Sequence, residues 1–164
     1  MSITIPRLNI VALAVALSFG SIANAVSDDS ILTLALAGGA NAELSLADLD
    51  ALPQSQFSTS TIWTKGTVLF QGVLLGDLLA AYDLNPASVE AIALNDYAIT
   101  LPVAEVVADG ALLATRMDGV EMTIREKGPV WIVFPFDSDP AMRSEVVYSR
   151  SIWQLATIRP QPAE

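Results

Sequence analysis

Three short clusters combine a broad aromatic ring with hydrogen-bonding or charged side chains. They are Trp63 with Lys65, Asn95-Asp96-Tyr97, and Arg150-Ser151 with Trp153. Lys127 is a fourth candidate, at the head of an apolar run and beside Gly128-Pro129. An aromatic face with a few polar groups is how a pocket holds a flat heterocycle. The same residues also suit plain structural work. A tryptophan packs in a core, and Asn and Asp bond nearby backbone groups in turns. Asp96 thus suits either a turn or an acceptor for a ligand's amino or amidine edge. Asp137-Ser138-Asp139 comes nearest to a metal motif. It lacks the downstream glycine and glutamate of a calcium loop and reads as a solvated loop.

What is missing narrows the chemistry further. The chain has no cysteine and no histidine. It offers no thiolate nucleophile, no Ser-His or Cys-His pair, and none of the usual zinc or copper ligands. Ser149 and Ser151 therefore lack an imidazole to activate them, and no Ser-x-x-Lys arrangement accompanies Lys127. With 18 acidic residues against 8 basic ones the net charge is −10. Such a surface repels nucleic acid and anionic lipid.

The first residues read as an export signal. Arg7 precedes an apolar run over Leu8–Phe19, and Ala23-x-Ala25 supplies a small-residue cleavage site. The apolar run is shorter than the roughly 20 residues of a spanning helix. The expectation is a signal peptide over residues 1–25 and one soluble, periplasmic or extracellular domain over residues 26–164, without membrane insertion after cleavage.

These candidates must be positioned by a set of short elements. Lys127-Gly128-Pro129-Val130-Trp131-Ile132-Val133-Phe134-Pro135 is a β-branched and aromatic run bracketed by breakers, so Val130–Phe134 is expected as a strand buried on both faces. Ile31–Leu36, Gln56–Ile62, Val68–Val73, Ser88–Leu94 and Ala98–Leu101 read as further short strands or extended apolar segments. Leu112–Met117 and Val120–Ile124 form a hairpin through Asp118-Gly119. Ser45-Leu46-Ala47-Asp48 resembles a capping box, and Leu74–Tyr82 has helical spacing with one apolar face. A short helix is expected from Pro102 to Val107. Val146–Tyr148 and Ile152–Ile158 read as closing strands, and Arg159-Pro160-Gln161-Pro162 as a frayed tail. The sum is a single α+β domain with a mixed, mainly antiparallel sheet and short helices.

Four segments carry a family resemblance. Phe70-Gln71-Gly72-Val73-Leu74-Leu75-Gly76-Asp77-Leu78-Leu79, Leu94-Asn95-Asp96-Tyr97, Lys127 to Pro135 and Ile152-Trp153-Gln154-Leu155 occur in the order seen in the molybdopterin-binding domain of sulfite-oxidase-like oxidoreductases. The chain most resembles the short exported members of that superfamily, over most of Trp63–Ile158. The catalytic members hold molybdenum through a cysteine thiolate, which is lacking here. The resemblance therefore implies a periplasmic, non-catalytic pterin-binding protein without molybdenum, serving a membrane-bound signalling partner. The candidate site for such a ligand, taken from the clusters above, comprises Trp63, Lys65, Asn95, Asp96, Tyr97, Lys127, Arg150, Ser151 and Trp153. In it Asp96 and Asn95 meet the amino-pyrimidine edge, an aromatic covers the ring, and Lys127 or Arg150 binds a carbonyl or anionic tail. Two rivals stand beside this: a ligand-free interaction module, and an accessory subunit or oxidoreductase of the molybdopterin-dependent type.

Overall fold

The computed structural model describes residues 29–161, so the expected leader over residues 1–25 lies outside the described residues. β1 (Ser30–Ala35) leads through a turn with Gly38 and Gly39 at positive φ into β2 (Asn41–Ser45). The Ser45 hydroxyl accepts from the Asp48 N–H, and the Asp48 carboxylate accepts from the Ser45 N–H. That closes the expected capping box at the start of α1 (Leu46–Asp50). β3 (Gln54–Ser60) and β4 (Thr67–Leu74) form a hairpin, followed by α2 (Leu75–Ala81), which buries Leu75, Leu78 and Leu79. β5 (Ser88–Ala93) and β6 (Ala98–Pro102) form a second hairpin, followed by α3 (Val103–Ala108). Next come β7 (Leu112–Met117), β8 (Val120–Glu121), β9 (Trp131–Val133), α4 (Glu145–Ser149) and β10 (Leu155–Gln161).

The strands make two sheets, one in the order β2-β1-β10-β5-β6 and one in the order β3-β4-β7-β8, with β9 also paired to β7. β1 and β10 run parallel, and the other ladders are antiparallel. The fold is therefore the expected α+β domain with mixed, mainly antiparallel sheets. Leu34, Ala91 and Ile158 of one sheet and Phe70, Leu113 and Ile132 of the other join one buried cluster. Burial of that apolar surface is the main force holding the sheets together.

β9 is buried throughout, as its sequence predicts. Beyond its ladder with β7, Ile132 N–H donates to the Ile152 carbonyl and Leu155 N–H donates to the Val130 carbonyl, both at 2.9 Å. These bonds fix the segment 152–155 against the core strand.

Three expectations are corrected. Val146–Tyr148 lies in α4 and is not a strand. Ser144 accepts from the Val147 N–H with its hydroxyl, and Glu145 sits in the first turn, so capping outweighs the β-branched pair. The residues Arg159–Gln161 are not frayed, because β10 pairs them with Glu90, Val89 and Ser88 of β5. Val120–Ile124 is a strand only as far as Glu121, and Ile124–Glu126 is a 3-10 turn.

Candidate functional site

Trp63 lies in the segment between β3 and β4. The Thr61 hydroxyl accepts from the N–H groups of Trp63 (3.0 Å) and Thr64 (2.9 Å), which sets the turn that presents the indole. Its ring meets Trp153 at 5.5 Å, Tyr148 at 5.7 Å, Trp131 at 5.9 Å and Phe136 at 6.3 Å between centroids, all edge to face. This is the arrangement that aromatic quadrupoles favour. Trp131 is fully buried beneath, and its indole N–H has no acceptor among the described residues.

Beside this cluster is a cavity of about 290 Å³. That is the lower end of the range of small-molecule sites, roughly 300–1,000 Å³. Trp63, Tyr97, Tyr148 and Trp153 supply aromatic walls, and Asn95, Ser149 and Ser151 supply polar groups. The lining carries no charged side chain. The buried Ser151 hydroxyl donates to the Ile132 carbonyl at 2.7 Å and keeps lone pairs to accept from a ligand. Asn95 accepts from the Tyr97 N–H through Oδ1, which leaves its amide NH₂ to donate. The arrangement suits a small neutral ring with donors and acceptors on its edge.

The structure thus brings together Trp63, Asn95, Tyr97, Ser151 and Trp153 from the predicted set. It places the others elsewhere. Asp96, expected at the ligand edge, is exposed, has φ 64° and donates its N–H to the Ala93 carbonyl. It is the left-handed residue of the β5–β6 turn and does not line the cavity. Arg150, expected near a ligand carbonyl, is paired with Glu105 at 2.6 Å and Asp109 at 3.7 Å, tying the end of α4 to α3 and to the residue that caps it. Lys65 and Lys127 line a separate cleft on another side of Trp63. Lys127 Nζ lies 5.6 Å from the Trp153 ring centroid and 5.7 Å from that of Trp131.

Tyr148 and Ser149 do not stand out as site residues in the sequence, because the segment reads as a strand from its valines. The available signal was Ser144 followed by Glu145, a helix start that presents Tyr148. Asp137, expected in a solvated loop, accepts from the Ser60 N–H and hydroxyl and pairs with Arg143. These bonds to Ser60, and then the Arg143 guanidinium, lower its carboxyl pKa to about 2. Among the described residues no cluster of three or more His, Cys, Asp or Glu is placed to hold a metal ion.

The chain belongs to the oxidoreductase molybdopterin binding domain family, whose pattern matches residues 26–137. The C-terminal wall of the cavity, Tyr148 to Trp153, lies beyond the matched stretch. Among solved structures, the sulfane dehydrogenase SoxCD of Paracoccus pantotrophus is similar, with a TM-score of 0.59 and 16% identity. The likeness covers 85% of this chain and 39% of that one, and it establishes the sulfite-oxidase-like fold. A search of curated proteins by sequence finds no match.

Membership in this family overturns the expectation that the protein is not an enzyme, since the family is one of oxidoreductases. It points to a pterin cofactor and lends no support to excluding molybdenum. The residues fit one part of that cofactor and not another. The aromatic cavity fits the planar pterin. No cysteine in this chain can supply a thiolate to the metal.

Proposed function

We propose that this chain is the pterin-holding domain of a molybdopterin-dependent oxidoreductase, acting as an accessory subunit or as part of the enzyme itself. The observation that carries the proposal is the cavity of Trp63, Tyr97, Tyr148 and Trp153, uncharged and sized for a bicyclic ring, in a chain of this family. Trp63 and Trp153 cover the ring, while Asn95 donates to its edge and the Ser151 hydroxyl accepts from it. A bound molybdopterin supplies the redox chemistry. This chain's residues bind and orient the ring, and any metal is held without a cysteine of this chain.

Export also forms part of the proposal, with cleavage after Ala25 releasing the domain into the periplasm. It rests on the residue pattern at the start of the chain. The intact mass of secreted protein tests it, a species that retains residues 1–25 counting against it. A membrane-bound signalling partner rests on the family resemblance alone.

The cofactor is tested by gentle extraction of protein made in a molybdate-supplied host. Mass spectrometry should identify a pterin in near one-to-one amount, and metal analysis run alongside reads the molybdenum. Folded protein that yields no pterin, and takes none up from solution, would contradict the proposal.

A further inference from the structure

The basic residues of this acidic chain are not scattered. Arg116, Arg143, Arg150 and Arg159 are each paired with a carboxylate. Among the described residues the remaining cations, Lys65, Arg125 and Lys127, make no ion pair, and all of them line one cleft of about 440 Å³. Glu126 is the one carboxylate in that lining, and it accepts from the Thr123 hydroxyl at 3.1 Å. The cleft therefore carries excess positive charge on a chain whose net charge is −10. Such a site attracts an anionic partner while the rest of the surface repels it.

Two segments carry the charges of the cleft, and Val68 of β4 and Met117 of β7 complete its lining. One is the Trp63–Lys65 turn, held by Thr61. The other is the turn Ile124–Lys127, held by Gly128 N–H donating to the Thr123 carbonyl at 2.8 Å and Gln154 N–H donating to the Lys127 carbonyl at 2.9 Å. An isoleucine precedes the lining residues of each segment in the chain and stands in solvent. Ile62 is 63% exposed and Ile124 is 57% exposed. A small oxyanion uses the cations and leaves these side chains wet. A chain segment bearing both carboxylates and aliphatic side chains covers both.

We propose that the cleft of Lys65, Arg125 and Lys127 docks an acidic, aliphatic-containing segment of a partner protein, independently of what fills the neighbouring aromatic cavity. Charge complementarity sets the approach, and the exposed isoleucines next to Trp63 and Arg125 in the chain offer apolar contact.

The test uses a short synthetic peptide of glutamates interspersed with leucines, titrated against the purified protein and followed by tryptophan fluorescence, since Trp63 lines the cleft. The peptide should bind more weakly as salt is raised. The double substitution Lys65→Gln and Arg125→Gln should cost about tenfold or more in affinity. Both side chains are exposed, so the variant should keep its fold, which circular dichroism checks. Arg159→Gln, at an ion pair of β5 and β10, should leave peptide binding unchanged. The proposal is overturned if the peptide does not bind, if the double variant binds it equally, or if a glutamine-for-glutamate peptide does as well. Inorganic phosphate binding more tightly than the peptide also overturns it, since the cleft would then be a small-oxyanion site.

Discussion

Trp63 lines two hollows of different make. On one side Tyr97, Tyr148 and Trp153 surround a cavity with no charged side chain in its lining. On another, Lys65, Arg125 and Lys127 line a cleft with Glu126. The first is built by packing, with rings edge to face, and suits a neutral ring by shape and hydrogen bonds. The second is built by charge in solvent, so its attraction falls as salt rises. One shared indole therefore lets neighbouring sites answer to different properties of their ligands.

The strongest way to break this comparison is at the root of the basic cleft. A Cβ added at Gly128 would stand 2.1 Å from the Met122 carbonyl oxygen and 2.5 Å from its carbon. Backbone atoms there cannot swing aside, so Gly128→Ala should cost about 3 kcal/mol and lower the melting temperature by roughly ten degrees. A thermal melt reads it, and peptide binding should fail with it.

Acid should act on both hollows, because Asp137 ties Ser60, just before the Trp63 turn, to the segment that follows β9. Its folded pKa of about 2 lies below the usual carboxylate value of 3.8. The ionised form thus contributes stability above about pH 4, and that contribution is lost as pH falls towards about 2. Melts across this window should show the loss, and Asp137→Asn should flatten it.

A finer cut touches the aromatic cavity alone. Ser144→Ala removes the cap of α4, the helix that presents Tyr148. It should cost about 1 kcal/mol of stability. Pterin affinity should fall while binding of the acidic peptide holds.

The smallest effect is expected at Asp96. Asp96→Ala swaps a residue that tolerates the left-handed region for one that does so less readily, costing less than about 1 kcal/mol of stability. Pterin affinity, read by fluorescence titration, should change less than about twofold because Asp96 is outside the lining.

The elements with strong local signals were legible in the sequence. The Ser45–Asp48 capping box, the apolar face of α2 and the doubly buried β9 each follow from residue type and spacing. The long-range bonds were not. Arg150 and Glu105 are far apart in the chain, so nothing in the spacing shows that the guanidinium is occupied. Asp96 illustrates the converse: a carboxylate between apolar segments serves equally as turn residue or ligand acceptor, and the hairpin decides which. Of the ligand pocket, the aromatic rings were visible as single residues. Their meeting around Trp63 depends on three separate segments converging, which no local pattern encodes.

Fluorescence titration of the purified protein with a reduced pterin tests the central claim most directly, with Trp153→Ala and Lys65→Gln run beside the parent. Trp153 walls the cavity, whereas Lys65 lines the basic cleft alone. The parent should bind with little dependence on salt. Trp153→Ala should lose about tenfold or more, of the order of 1.4 kcal/mol, and Lys65→Gln less than about twofold. Folded parent protein that binds no pterin, or a Trp153→Ala variant that binds it as tightly as the parent, would contradict the account.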